Sequence, residues 1–179
     1  PDPRSHHAEQ PPVTTARLCL GTAQFGLAYG ITNATGQLDR TEVQRLLTRA
    51  SGSAVTWLDT AQAYGEAEQV LGACLPPSHG FRLISKLPAQ PSEAFDAAKV
   101  GQWEADFQRS LTRLGTTQLD AFLLHHPADL CRPDASCLLD WLLSLRERGL
   151  ARRLGISIYS RQELDGLPLD RLDLVGVLK

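Results

Sequence analysis

The stretch WLDTAQAYGEAE, residues 57–68, joins the end of a predicted strand to the start of a predicted helix. The β-branched and aromatic run 54–60 is typical of a buried strand, although it ends on the polar residues Asp59 and Thr60. Tyr64 follows in the loop, and the pattern of residues 65–75 predicts a helix. A buried strand that leads through a short loop into a helix is the repeating unit of an α/β fold.

The same unit recurs along the chain. Further strands are predicted at 17–23, 81–87, 119–127, 151–160 and 172–179, and further helices at 39–50, 100–115, 136–149 and 160–167. Asp39 or Thr41 is the expected N-cap of the first of these helices. Apolar strands separated by helices predict a parallel sheet covered by helices, as either a doubly wound sheet or a barrel. Since no G-x-G-x-x-G follows the first strand, the Rossmann dinucleotide fingerprint is missing.

Composition places the chain among ordinary globular proteins. The 179 residues divide into a polar, Pro-rich leader over 1–15, expected to be disordered, and one domain over 16–179. The net charge of −2 gives no reason to expect nucleic acid, and no apolar run approaches the length of a membrane span. The four cysteines form no C-x-x-C pair, so we expect buried free thiols in a reducing cytoplasm and no metal site.

Ionisable side chains follow several of the predicted strands at their carboxyl ends. Asp59 ends one strand with Tyr64 close behind, Lys86 lies near the end of the next, and His125 and His126 end the fourth. Each has a simpler explanation, such as a turn cap, a packed loop aromatic, a snorkelling lysine or a rim histidine. In a parallel barrel, however, all these strand ends open on one face, where active sites are built.

Together these side chains form a proton-donating site for a carbonyl oxygen. A tyrosine has an ordinary pKa near ~10, and a nearby ammonium such as that of Lys86 lowers it. Asp59 supplies the counter-charge for a buried lysine, and a histidine orients a carbonyl by a hydrogen bond. The alternative chemistry, a Lys86 Schiff base of an aldolase or lyase, fits Tyr64 and Asp59 less well.

Five segments resemble the aldo-keto reductases, in the order and spacing of that family. They are LGTAQFG (20–26), LDTAQAYGEAE (58–68), LISKLP (83–88), LDAFLLHHP (119–127) and RRLGISIYS (152–160). The resemblance covers nearly all of 16–179. The opening GTAQFGLAYGITNATGQ (21–37) is similar to a branch associated with sugar or polysaccharide metabolism.

The resemblance implies a (β/α)8 TIM-type barrel that reduces an aldehyde or ketone with NADPH (NADP). Tyr64 would be the general acid, Lys86 paired with Asp59 would lower its pKa, and His125 would orient the carbonyl. The family's cofactor contacts fall on Gly21, Thr22, Asp59 and Ser157, and its substrate-facing positions fall on Phe25 and His126.

The chain departs from the family in two ways. Ile158 stands where the family usually has Asn, and Gly176 stands where it usually has Gln, so two nicotinamide contacts are altered. The sequence ends at Lys179 after about six β/α units, without strands seven and eight or the segment that grips the 2′-phosphate.

Several expectations follow from this length. The barrel is incomplete, and its open sheet edges invite self-association. The chain alone binds NADPH weakly. The rival hypotheses are a catalytically impaired relative that serves as a binding or assembly module, and a fragment of a longer reductase.

Overall fold

The described residues form a parallel sheet of six strands in chain order, as predicted. The computed structural model describes residues 18–30, 36–76, 78–90 and 94–167, together with the backbone of 174–178. The strands are β1 Leu18–Gly21, β2 Val55–Asp59, β3 Arg82–Leu87, β4 Ala121–Leu124, β5 Leu154–Ile158 and β6 Leu174–Leu178. Each strand pairs in parallel with the next one along the chain, which is the arrangement of a barrel wall.

Helices connect the strands, and acidic caps define two of their starts. They are α1 Ala23–Gly26, α2 Arg40–Ser51, α3 Ala67–Cys74, α4 Ala97–Leu114 and α5 Ser136–Glu147. Asp39 caps α2 in a reciprocal capping box, which selects it over Thr41. The helix predicted from Val100 begins three residues earlier, because the Asp96 carboxylate accepts a hydrogen bond from the Lys99 N–H at 2.9 Å.

Short helical turns differ from the prediction at three places. The glycine-rich loop after β1 contains the four-residue helix α1, and Pro127–Cys131 forms a 3-10 turn after β4. The helix predicted at 160–167 is a 3-10 turn over Arg161–Leu164. The hydrophobic pattern did not separate these single turns from loop, because one turn spans too few residues for a period.

The sheet is curled, with helices packed on its outer face and a second set of side chains on its inner face. The outer core contains the aromatic cluster of Trp103, Phe107, Phe122 and Trp141. The inner face contains Ile84, Ala121 and Leu123, with Trp57 packed against them. This α/β architecture confirms the predicted incomplete barrel.

The cysteines are free, but only partly as expected. Cys74 is buried, whereas Cys19 and Cys131 are exposed, so the expectation of burial was wrong for these two. Cys19 is on β1, where the inner face of the sheet is open, and Cys131 ends a surface turn. None of the helices in the described ranges is both long and apolar enough to cross a bilayer. The same ranges hold no cluster of three metal-ligating side chains.

Candidate active site

A buried ion pair lies at the carboxyl end of β2 and β3. Lys86 is fully buried, and its Nζ donates hydrogen bonds to Asp59 Oδ1 at 2.5 Å and to the Thr60 carbonyl at 2.8 Å. Asp59 is in register with Ile84, two residues before Lys86, so both side chains point to the inner face. A buried ammonium requires such a partner, because desolvating an unpaired charge costs several kcal/mol, on the order of 3–5.

Tyr64 and His125 complete the cluster. The Lys86 ammonium lies 5.1 Å from the centroid of the Tyr64 ring, and the Tyr64 and His125 rings meet edge to face at 5.6 Å. His125 follows β4, where its N–H donates to the Leu87 carbonyl at 2.9 Å. The structure therefore brings together the four side chains that were predicted as catalytic.

The pKa of Tyr64 differs from the expectation. Burial raises the pKa of the Tyr64 phenol well above its usual range, and the negative charge of Asp59 raises it further. A lowering by Lys86 was expected, but burial, the largest cause, and the Asp59 carboxylate 2.5 Å from Lys86 outweigh it. Tyr64 therefore holds its proton at neutral pH.

The Tyr64 loop packs directly on the loop that follows β1. A Cβ on Gly26 would lie 1.9 Å from the Tyr64 carbonyl oxygen and 2.3 Å from the Ala67 nitrogen. On the other side, Gly65 has a φ of +57°, and a Cβ there would lie 2.6 Å from the Gly26 carbonyl oxygen. Both positions therefore require glycine, and the backbone of one loop fixes the backbone of the other.

The residues predicted to contact a cofactor lie near this cluster, but they differ in their surroundings. Thr22 is fully buried, and its N–H and Oγ donate to the Asp59 carbonyl at 2.9 and 3.1 Å, so it holds the end of β2. Gly21 is exposed, in register with Asp59, and a Cβ there would meet nothing within 4 Å. Ser157 is 1% exposed, and its Oγ has no hydrogen-bond partner among the residues that the structure describes. A buried hydroxyl without a partner is uncommon and is suited to a ligand.

Of the two positions predicted to face a substrate, one is buried and the other is exposed. Phe25 is 2% exposed and belongs to the outer core, because α1 turns its ring toward the helices, and this placement argues against contact with a substrate. His126 is exposed, with Nδ1 3.3 Å from Asp129 Oδ1.

A cavity of about 450 Å³ lies beside His125. Its lining includes His126, Cys131, Tyr159, Gln162, Glu163 and Asp165. A wider groove of about 800 Å³ lies between α4 and α5, on the side of the sheet that is opposite the Lys86–Asp59 pair. The smaller cavity is therefore the one next to the candidate chemistry.

Glu68 is a buried residue near the site that was not among the site residues predicted from the sequence. This carboxylate is 1% exposed and accepts hydrogen bonds from Ser85 Oγ at 2.6 Å and Ser110 Oγ at 3.1 Å. Helical spacing could have predicted its burial, because Glu68 lies three residues before the buried Leu71 and therefore on the same face of α3, which packs against the sheet.

Fold and site together define a class of protein: an incomplete parallel β/α barrel with a buried Lys–Asp pair, a tyrosine and a histidine at the carboxyl ends of its strands. A comparison with family models assigns the chain more closely. Residues 17–173 match the model of the aldo/keto reductase family. The chain belongs to the aldo-keto reductase family, which confirms the resemblance found in the sequence.

Individual relatives agree with this assignment. An aldo-keto reductase of Mycolicibacterium vanbaalenii is 30% identical over 141 residues, covering 74% of this chain and 46% of the relative. The structure of an aldo-keto reductase from Klebsiella pneumoniae in complex with NADPH is 27% identical, with a TM-score of 0.59, covering 82% of this chain and 47% of that one. An aldo-keto reductase from Bacillus halodurans shares the fold at 20% identity, with a TM-score of 0.68 over 89% of this chain and 51% of its own. The chain thus spans about half the length of these relatives.

Proposed function

We propose that the protein reduces an aldehyde or ketone to an alcohol with NADPH, and that Tyr64 is the general acid. One observation carries the proposal: the Tyr64 ring lies 5.1 Å from the buried Lys86 ammonium and 5.6 Å from the His125 ring. Membership of the aldo-keto reductase family and the NADPH bound to the Klebsiella pneumoniae relative support it.

In this mechanism the protein supplies a proton and holds the carbonyl in place. His125 donates a hydrogen bond to the carbonyl oxygen and orients it toward Tyr64. As negative charge develops on that oxygen, the phenol donates its proton, and the Lys86 ammonium stabilises the phenolate that remains. Asp59 keeps Lys86 charged and in place through the 2.5 Å contact.

The described residues fit a nicotinamide at this site. Ser157 offers a buried hydroxyl that no described residue hydrogen-bonds, and this hydroxyl can hold the carboxamide. The open space at Gly21 admits a flat ring beside Asp59. When bound, NADPH would supply the hydride for the carbonyl carbon. Gly21, Thr22, Asp59 and Ser157 accordingly remain our proposed cofactor residues, with Thr22 acting through its hydrogen bonds to the Asp59 carbonyl.

The cavity beside His125 is our proposed substrate site. Its lining combines His126 with the amide of Gln162 and the carboxylates of Glu163 and Asp165. Polar groups of this kind suit a hydroxylated carbonyl compound, which agrees with the sugar-related substrate predicted from the opening segment.

NADPH consumption at 340 nm, measured over a panel of aldehydes, ketones and aldose sugars, tests the proposal. We expect turnover that falls at least ~100-fold in Tyr64→Phe, the usual minimum for loss of a general acid. Tyr29→Phe is the matched control, because Tyr29 is an exposed tyrosine outside the lining of the cavity beside His125. Equal rates in wild type and Tyr64→Phe would refute the general-acid role.

Two further features belong to the proposal. The edge strand β1 is largely exposed, with Leu18 57% exposed, and an exposed parallel edge supports self-association of the chain. Sedimentation equilibrium tests this self-association, and a monomer at all concentrations would contradict it.

Free thiols at all four cysteines support a reducing, cytoplasmic location.

A further inference from the structure

Glu68 is the most deeply buried carboxylate next to the candidate chemistry, and the mechanism above does not use it. It is in the first turn of α3, four residues after Tyr64, and is 1% exposed. Ser85 Oγ donates to its Oε1 at 2.6 Å, and Ser110 Oγ donates to its Oε2 at 3.1 Å. Arg113, itself 43% exposed, lies 3.4 Å from Oε2. Burying a carboxylate in this way is costly unless its oxygens are satisfied.

The partner Ser85 connects Glu68 to the catalytic strand. Ser85 immediately precedes Lys86 on β3, and successive strand residues point to opposite faces, so Ser85 faces the helices while Lys86 faces the inner side. The 2.6 Å bond therefore fixes the backbone of β3 at the residue next to the ammonium.

The segment that carries Tyr64 is held from its other end as well. The Gln62 N–H donates to the Lys86 carbonyl at 3.2 Å, and the Gln62 side-chain amide donates to Ser110 Oγ at 2.9 Å. Residues 62 and 68 thus anchor both ends of one loop to the same strand and the same helix, and Tyr64 lies between the two anchors.

We propose that Glu68 is a positioning residue, which sets Tyr64 against Lys86 by tying the start of α3 to Ser85 and Ser110. It touches neither the proposed substrate nor the cofactor, and it acts through the loop 62–68. The inference rests on the proposed role of Tyr64, but its test needs no cofactor or substrate.

The ionisation of Tyr64 reports its position directly. The chain has three tyrosines, so the ¹³Cζ signal of Tyr64 in ¹³C-tyrosine-labelled protein is assigned by its loss in Tyr64→Phe. At pH 10 we expect the wild-type phenol to be mostly protonated, because partial burial and then the Asp59 charge raise its pKa. In Glu68→Ala and Ser85→Ala the loop loosens, the ring is exposed, and about half of the phenol is ionised at its ordinary pKa.

Conservative and distant variants separate positioning from general stability. Glu68→Gln keeps an acceptor for Ser85 and a donor for Ser110, so we expect it to restore the wild-type signal. Asp120→Ala removes the carboxylate that accepts from the Leu83 N–H at 3.0 Å at the other end of β3, and we expect it to lower stability without ionising Tyr64. Ser85→Ala removes a single hydroxyl and decides the question if Glu68→Ala does not fold.

The outcomes are distinct. A wild-type Tyr64 signal in Ser85→Ala would show that Glu68 only stabilises the fold and would overturn the proposal, as would equal ionisation in Asp120→Ala. If the chain reduces carbonyls, kcat falls in Ser85→Ala with little change in KM. If the chain has no reductase activity, the proposed function fails while the Tyr64 signal still tests the positioning.

Discussion

Replacing Asp59 with asparagine isolates the energetic role of the buried ion pair. The substitution keeps the size of the side chain and an oxygen facing Lys86, but it removes the negative charge that Asp59 places beside the buried ammonium. The Thr60 carbonyl at 2.8 Å is then the strongest remaining acceptor for which the structure gives a distance. Breaking a buried pair by removing one partner typically costs about 3–5 kcal/mol, and the full burial of Lys86 places this site in that range.

Urea denaturation and thermal unfolding measure the loss. A change of 1 kcal/mol shifts the Tm of a domain of this size by roughly 2–4 °C, so we expect Asp59→Asn to lower the Tm by about 6–20 °C. The double variant Asp59→Asn/Lys86→Met removes both charges, and we expect it to recover most of the lost stability.

Asp129→Asn is the matched control for this experiment. Asp129 is also a buried carboxylate, but its described partners are the Gln90 N–H and the His126 ring. We expect a smaller loss of about 1–3 kcal/mol, the cost of weakening hydrogen bonds to a charged group. A loss below ~1 kcal/mol in Asp59→Asn, or a double variant as unstable as the single one, would refute the account of the ion pair.

Three further predictions concern reactivity, packing and acid stability. Cys19 is exposed as a residue, but partial burial of its thiol, and then Asp59, raise the pKa of that thiol from 9.0 to about 11. We therefore expect Ellman's reagent at pH 8 to label it more slowly than the exposed Cys131. Gly26→Ala must push the Tyr64 loop away, so we expect it to lower the urea midpoint and to ionise the Tyr64 phenol at pH 10. Hydrogen bonds from Arg148 lower the pKa of Glu104 from 4.5 to about 2. The resulting stability is present above pH 4.5 and is lost toward pH 2, and because the pair is partly exposed, we expect Arg148→Gln to cost under ~1 kcal/mol at pH 7 by urea denaturation.

Controls for these predictions come from the same chain. Labelling in Cys19→Ser identifies the slow thiol, and a wild-type rate equal to that of a small-molecule thiol contradicts the first prediction. Gly149→Ala strains a glycine with a φ of +70° just after α5, away from α3 and the Tyr64 loop, so it should lower stability without ionising Tyr64. A loss of stability in Arg148→Gln that is as large at pH 2 as at pH 7 contradicts the third prediction.

The strand ends were readable from the sequence because each carries a polar residue after an apolar run. Asp59, Lys86 and His125 end or follow neighbouring strands, and parallel order alone brings such residues to one face. What the sequence could not supply was the local electric field. The effect of Asp59 on Tyr64 depends on a 2.5 Å distance to Lys86, which no spacing rule contains.

For two residues, the sequence pattern did not predict the environment that the fold gives the side chain. Phe25 follows a strand in a glycine-rich segment, as a substrate contact would, but the short helix α1 turns its ring into the outer core. In the sequence, Glu68 is one of two glutamates at the polar start of a helix, which predicts exposure. It is buried only because α3 packs between β3 and α4. Both outcomes depend on tertiary packing, which overrides local pattern.

The contact between Gly26 and the Tyr64 loop has a consequence for protein engineering. Two stretches that are distant in sequence meet backbone to backbone at Gly26 and Gly65, where neither residue has a side chain to absorb an error of shape. A loop graft that brings in a new tyrosine segment without its matching partner from the first β/α connection therefore misplaces the acid, even if every catalytic residue is retained. In any chimaera or directed-evolution library, the two stretches are best exchanged as a single cassette.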